Sequence, residues 1–491
     1  MSTLLFSVLL LIPLASAALC AVTRDQRRLE LITGVGTALT FLSGIFLTSQ
    51  VLDKTVVASP NAFFYADALS ALLVLIVSGS AFAVALYSVG YLRAHVAAGN
   101  LAPGQPRLYY ALLNVFTFTM MSVLISNNLG FLWIGSEATT LATAFLVAFY
   151  DTKRSLEAAW KYVIICSVGI ALALFGVILT YFSSVSVVGV STTPLNWSTL
   201  MSVAKKLDPA VLRLAYVFIL IGFGTKAGIA PMHTWKPDAY GEAPAPISAL
   251  MAGGLVNVAL YSLIRFSILV NKSIGTEFSS GLLLVFGLGS MIIAIPFFLM
   301  QRNIKRLLSY SSVEHVGIIV FALGLATPLA YLGALLHMLN NSIAKLLLFF
   351  CAGNLRLAYG TKIIRRITGA VRIMPFTAGV FLLAVFAITG WPPFGLFISE
   401  FTIVSAGFAS GNVWPSIVFL AVVAIIFAGF IYYASKMIFG EPARANTEVN
   451  ASRTTKALFA VLMLALLCLG IFIPSPLLKL LHNAADVLSG S

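Results

Sequence analysis

The sequence predicts an all-α polytopic membrane protein of about fourteen transmembrane helices, and three observations carry that reading. The chain is 60% hydrophobic and only 9% charged, with a mean hydropathy of +1.01. Apolar runs of about twenty residues recur from end to end, each long enough to span the ~30 Å hydrocarbon layer as a helix. The short alternating segments of a closed β-barrel do not occur in the sequence. A water-soluble chain of 491 residues would divide into about two to four domains, and composition overrules that expectation.

In order, the spans are predicted at 3–22, 29–51, 66–92, 108–127, 129–150, 159–183, 210–230, 244–270, 280–300, 308–326, 329–353, 375–409, 415–438 and 455–473. The first has no Lys or Arg ahead of its apolar run and a basic cluster behind it, which favours a retained helix over a cleaved signal. The longest loop, roughly 184–209, is rich in Ser and Thr. The twelfth span is long and interrupted. After "FIPSP", the tail "LLKLLHNAADVLSGS" is expected to form a short amphipathic helix on the outer surface.

The net charge of +14 follows from topology rather than from nucleic-acid binding. With the N-terminus outside, inner loops hold 21 of the 30 basic residues, Lys236, Lys305 and Arg444 among them, and outer segments hold seven, including Arg265. The two left over, Lys226 and Lys345, fall inside spans. This bias predicts that both termini lie outside, in a prokaryotic plasma membrane. The four cysteines, Cys20, Cys166, Cys351 and Cys468, lack metal-ligand spacing, so the chain is expected to hold no iron–sulfur or zinc centre of its own.

An ionisable residue within a span is costly and marks a candidate functional site. Glu137 lies mid-span in "NLGFLWIGSEATTLATAFLVAFY", with no basic residue within helical reach. Lys226 is its expected partner. The lysine precedes Gly228 and Pro231, and His233 follows them, so its helix should break there and leave backbone groups that need a wet cavity. A Glu–Lys pair in low dielectric is a switchable proton-binding site. The alternatives are a protonated Glu137 bonded to a neighbouring helix and a Lys226 snorkelling to the interface.

In "ALLHMLNNSIAKLLLFFCAGN", His337, Asn341 and Lys345 recur every four residues and form one polar stripe. That stripe reads either as a proton or water path or as a helix-to-helix hydrogen-bond seam. Glu400 belongs to "ITGWPPFGLFISEF", whose Gly and Pro residues again imply a discontinuous helix. Glu314 and His315, near the Lys305–Arg306 cluster, either form an inner-side inlet for protons or anchor the helix.

Interrupted helices at about 222–232 and 388–397 point to paired repeats with a pathway near the bilayer midplane. Spans four to eight and nine to thirteen are five helices each, and an odd number inverts the second unit. The chain is therefore divided into helices 1–3 (1–107), two inverted bundles (108–270 and 271–440), and the last helix with its tail (441–491).

The stretches "TKAGIAPMHTWKPDAYGEAPAPISALMAGGLVNVALYSLIRF", "IKRLLSYSSVEHVG", "HMLNNSIAKLLLFFCAGN" and "GWPPFGLFISEF" resemble the antiporter-like membrane subunits of respiratory complex I. Related families are the group 4 membrane-bound hydrogenases and the multisubunit cation/proton antiporters. "SSVEHVG" and "GLVNVALY" are most similar to the F-type subunits of hydrogenase-4 and formate hydrogenlyase. The resemblance implies two inverted five-helix bundles, each with a broken helix, and proton translocation along a central chain of charges. By position it assigns that role to Glu137, Lys226, His337, Lys345 and Glu400. Where many relatives place a lysine in the eighth helix, this chain has Asn257, which would need to act as a hydrogen-bond bridge.

These readings favour a proton-translocating subunit of a redox-driven complex. Its expected partners are other membrane subunits, a peripheral redox arm and the lipid bilayer. Iron–sulfur clusters and nickel–iron belong to those partners. A sodium/proton antiporter module is the alternative.

Overall fold

The computed structural model describes residues 2–102, 104–189, 195–442 and 452–490. Thirteen helices among them are long and apolar enough to cross a membrane: Thr3–Val22, Gln26–Lys54, Ala68–Ala97, Gln105–Leu124, Leu129–Val147, Lys153–Val185, Pro209–Ala227, Ala245–Ile274, Glu277–Leu299, Ile304–Gly324, Pro328–Tyr359, Val413–Phe439 and Arg453–Ile471. Two shorter apolar helices, Pro375–Ile388 and Gly395–Ala409, flank a break and occupy the place of the twelfth predicted span. Counting that pair as the twelfth crossing, the order matches the fourteen spans read from sequence.

Crossings start where a polar side chain can accept an unpaired backbone N–H. Asp67 caps the third through Ser70 N at 3.0 Å, and Asn128 caps the fifth through Phe131 N at 3.1 Å. Thr152 and Ser155 form a reciprocal capping box on the sixth. The sixth and seventh pack backbone to backbone: a Cβ on Gly222 would stand 2.6 Å from Gly169 O, so glycine is required there.

Burial separates a centre from a rim. The most apolar windows of the eighth and tenth crossings are 100% buried and that of the eleventh 89%, whereas the first, ninth, thirteenth and fourteenth bury 33%. Leu4, Ile134, Phe182, Val285, Phe401 and Leu464 are each more than half exposed. An apolar surface this extensive suits lipid rather than water, and the chain is a multi-pass membrane protein. The tail forms the helix Ser475–Ser489, which turns Leu480, Leu481, Ala484, Ala485 and Leu488 inward and packs on the third and eleventh crossings.

The charge distribution corrects the sequence reading. Lys236, Lys305 and Arg265, expected in loops, are only 0%, 0% and 2% exposed. Lys236 sits on the short helix Trp235–Glu242, which folds back beside the end of the seventh crossing. Lys305 lies in the first turn of the tenth crossing and donates to Ala243 O. Arg265 pairs with Asp67 at 2.6 and 2.7 Å beneath the ring of Trp197. Arg444 lies outside the described residues.

Candidate functional site

The seventh crossing ends because Gly228 turns left-handed (φ 75°) and Pro231 has no N–H to continue the ladder. Gly228 N and Ile229 N close the end on Thr225 O and Gly224 O at 3.1 and 2.8 Å. The freed carbonyls were expected to need a wet cavity, but protein side chains take them. Trp235 Nε1 donates to Thr225 O and Lys236 Nζ to Ala227 O, each at 2.9 Å. The ammonium thus sits at the negative end of the helix dipole. A Cβ on Gly228 would come within 2.7 Å of Lys236 Cδ, a second reason for glycine.

In the last turn before the break, Lys226 is 1% exposed. Its Nζ donates to Thr140 Oγ1 at 2.5 Å, and Thr140 donates in turn to Glu137 Oε2 at 3.3 Å. Ser167 holds the other carboxylate oxygen at 2.9 Å. The expected Glu137–Lys226 pair is therefore joined through a hydroxyl, which stands one helical turn after Glu137 on the same face.

Beyond the break, the tenth crossing separates two lysines. Lys236 Nζ approaches Ser312 O at 3.4 Å from one side, while Lys345 Nζ donates to Ser311 Oγ at 2.7 Å from the other. Asn257 follows a π-helical turn, Met251–Leu255, and bridges Gly253 O and Ser342 Oγ at 2.8 Å each. It thereby ties the eighth crossing to the eleventh. Asn341 Oδ1 and Glu314 Oε2 are buried polar atoms without a hydrogen-bond partner among the described residues.

At the far end, His315 Nδ1 meets His337 Nε2 at 2.9 Å, and His337 Nδ1 meets Ser399 Oγ at 3.0 Å. Glu400 joins them: one ligand atom from each of His315, His337 and Glu400 lies within 4.8 Å of the others. Its carboxylate lies over Gly390, in the break of the twelfth crossing, where a Cβ would overlap it. Glu314 and His315 are thus not an inner inlet. They are 3% and 1% exposed and stand about 15 Å along the axis from Ile304, where their helix begins. His233 is set apart, buried edge-on beside the stacked rings of Phe297 and Tyr310, with Nδ1 unpartnered among the described residues.

Where the short helix Trp235–Glu242 reaches the surface, a cavity of about 220 Å³ is lined by Arg154, Glu157, Lys161, Asp238, Glu242 and Arg306. Asp238 accepts from Lys161 at 3.3 Å and from Arg306. Lys362, in the loop after the eleventh crossing, donates to Glu242 at 2.5 Å. Burial pulls the Lys362 ammonium below the usual lysine range, and the Glu242 carboxylate pulls it the other way.

Sequence reasoning missed Thr140, Lys236, Ser311, Ser312, Ser342 and Ser399. Lys236 had a signal, since it directly follows the break. Thr140, Ser311 and Ser342 had only their helical spacing from Glu137, His315 and Lys345; Ser312 takes part through its backbone carbonyl, and Ser399 only adjoins Glu400.

Residues 126–428 match the family described as NADH:quinone oxidoreductase/Mrp antiporter, TM. A hydrogenase-4 component F homolog of Methylacidiphilum infernorum is 38% identical over 392 residues, which cover 80% of this chain and 82% of that protein. NADH-quinone oxidoreductase subunit N of Desulforudis audaxviator is 32% identical over 420 residues, 82% of this chain and 79% of that one. A chain of the membrane-bound sulfane sulfur reductase, an archaeal respiratory membrane complex, shares the fold at a TM-score of 0.87 and 24% identity, covering 99% of this chain and 97% of that one. A chain of the Mrp complex from Dietzia sp. DQ12-45-1b does so at 0.86 and 19%, with the same coverage. On the family match and these relatives, the chain belongs to the NADH:quinone oxidoreductase/Mrp antiporter transmembrane family.

Proposed function

We propose that this chain is an antiporter-like membrane subunit that translocates protons within a redox-driven complex of the hydrogenase-4, formate hydrogenlyase or complex I-like kind. The observation that carries the reading is one buried polar line. Three hydrogen-bonded segments make it up: Glu137–Thr140–Lys226; Lys236 at the Ser312 carbonyl with Lys345 at Ser311; and His315–His337–Ser399, with Glu400 beside them. Ionisable groups in the centre of a membrane protein are costly and are kept where they carry charge. Ammonium, imidazole and hydroxyl groups in succession suit protons, whereas hard metal cations prefer a shell of oxygens.

Protons enter through the cavity at Asp238 and Glu242, load Lys236, Lys226 and Lys345, and leave past Glu400. Glu137 adjusts the proton affinity of Lys226, and Asn257 holds the two halves in register. The units 108–270 and 271–440 act as inverted repeats. The roughly three-to-one excess of basic residues in the predicted inner loops supports both termini lying on the outer side of a prokaryotic plasma membrane. Electron transfer takes place in partner subunits that carry iron–sulfur clusters and nickel–iron on a peripheral arm.

Purification of the tagged chain from its native membranes in mild detergent tests this reading. Stoichiometric recovery of further membrane subunits with an iron–sulfur or nickel–iron protein is expected. Recovery with cation-antiporter subunits alone, together with sodium/proton exchange in vesicles given no electron donor, would overturn it.

A further inference from the structure

We propose that His315, His337 and Glu400 form a binding site for one borderline divalent transition-metal ion, Zn²⁺ above all. Two imidazoles and a carboxylate are a donor set that Zn²⁺ takes with a fourth position left to water. The geometry is close to that of a collapsed site. His315 Nδ1 and His337 Nε2 face each other at 2.9 Å. Bonds of about 2.0–2.1 Å in a tetrahedron hold two ligand atoms roughly 3.3 Å apart. The rings need to part by a few tenths of an ångström and to tilt, since their centroids lie 5.1 Å apart and the two nitrogens face each other nearly head-on, whereas a tetrahedral ion lies roughly 35° off the line joining them.

All three ligand atoms already lie within 4.8 Å of one another, so rotation of the Glu400 side chain supplies most of the remaining approach. Three different crossings, the tenth, eleventh and twelfth, carry the ligands, which fixes their spacing by helix packing rather than by a loop. Ser399 Oγ stands 3.0 Å from the second nitrogen of His337, the kind of outer partner that orients a ligating imidazole.

The rest of the environment agrees. Glu400 leaves one positive charge of the ion uncompensated, and neighbouring Glu314 holds a buried Oε2 with no hydrogen-bond partner among the described residues. Glu400, 8% exposed against 1% and 0% for His315 and His337, is the least buried of the three and lies over Gly390 in the break. Nitrogen ligands disfavour Mg²⁺ and Ca²⁺. An ion there would occupy both facing ring nitrogens and stop proton passage between them. That consequence rests on the proposed function; the binding itself does not.

The test uses the purified full chain in lipid nanodiscs, stripped with chelator and titrated with Co²⁺, then Zn²⁺. One Co²⁺ per chain is expected, with the intense visible absorption of a tetrahedral site that Zn²⁺ abolishes. His315→Gln and His337→Gln should each weaken binding by about 100-fold, and Ser399→Ala, which keeps every ligand, by about tenfold. The triple variant His95→Gln/His233→Gln/His482→Gln should retain the signal. Absence of saturable Co²⁺ binding, a weak octahedral spectrum, or equal affinity in Ser399→Ala and both single histidine variants would overturn the site. None of these readings involves proton transport, so they stand or fall apart from the translocation reading.

Discussion

Lys226 reaches Glu137 through Thr140: the ammonium donates to the hydroxyl at 2.5 Å, and the hydroxyl donates to the carboxylate at 3.3 Å. A hydroxyl is both donor and acceptor, so it links the two charges while keeping them from direct contact. Thr140→Val keeps the shape of the side chain and removes that link. Hydrogen bonds to charged groups contribute about 1.5–3 kcal/mol, so redox-coupled proton uptake in inverted vesicles should fall by about tenfold or more. Thr140→Ser should stay near the wild-type rate. A Thr140→Val protein that pumps normally would show that the hydroxyl is only packing.

Lys236 lies between the carbonyl end of the seventh crossing and the tenth, within reach of Ala227 O and Ser312 O. Lys236→Met should abolish coupled proton uptake while electron transfer to the natural acceptor continues at a reduced rate. Dye quenching and donor oxidation, measured on the same vesicles, separate the two. Unchanged quenching would remove Lys236 from the path.

Asn257 and Ser342 share one hydrogen bond and both contact Gly253 O. If they act as one bridge, Asn257→Leu and Ser342→Ala should each slow proton uptake, and the double variant should be no slower than the worse single one. Additive losses in this double-mutant cycle would mean that the two residues act independently.

The Arg265–Asp67 pair, 2% and 3% exposed, clamps the eighth crossing to the start of the third. Removing one partner of such a pair leaves a buried charge alone, at about 3–5 kcal/mol. Arg265→Ala should therefore lower the thermal midpoint of the detergent-solubilised chain and reduce its recovery from membranes. Arg265→Lys should not restore it, since a single ammonium cannot match both carboxylate oxygens. A wild-type midpoint for Arg265→Ala would contradict the clamp.

The spans and both breaks were legible in the sequence because apolar length and Gly–Pro punctuation are local signals. Lys236 was hidden for a physical reason. It stands between Pro231 and Pro237 in a stretch that reads as a loop, and only the left-handed turn at Gly228 folds the next helix back into the centre. The His315–His337 contact was half legible. Both residues are equidistant from Ala326 in the short connection between their helices, which sets them at the same height. Which way each ring faces depends on helix rotation, and no local pattern encodes that. Asp67 and Arg265 are 198 residues apart, and each looks like an ordinary loop or interface charge until the third and eighth crossings meet.

Proton uptake by the Lys226→Ala complex, assembled and fed its natural electron donor, is the most direct measurement. The buried line predicts that uptake disappears while the subunit remains in the complex. Uptake at the wild-type proton-to-electron ratio would mean that protons cross without Lys226, and that this line does not carry them.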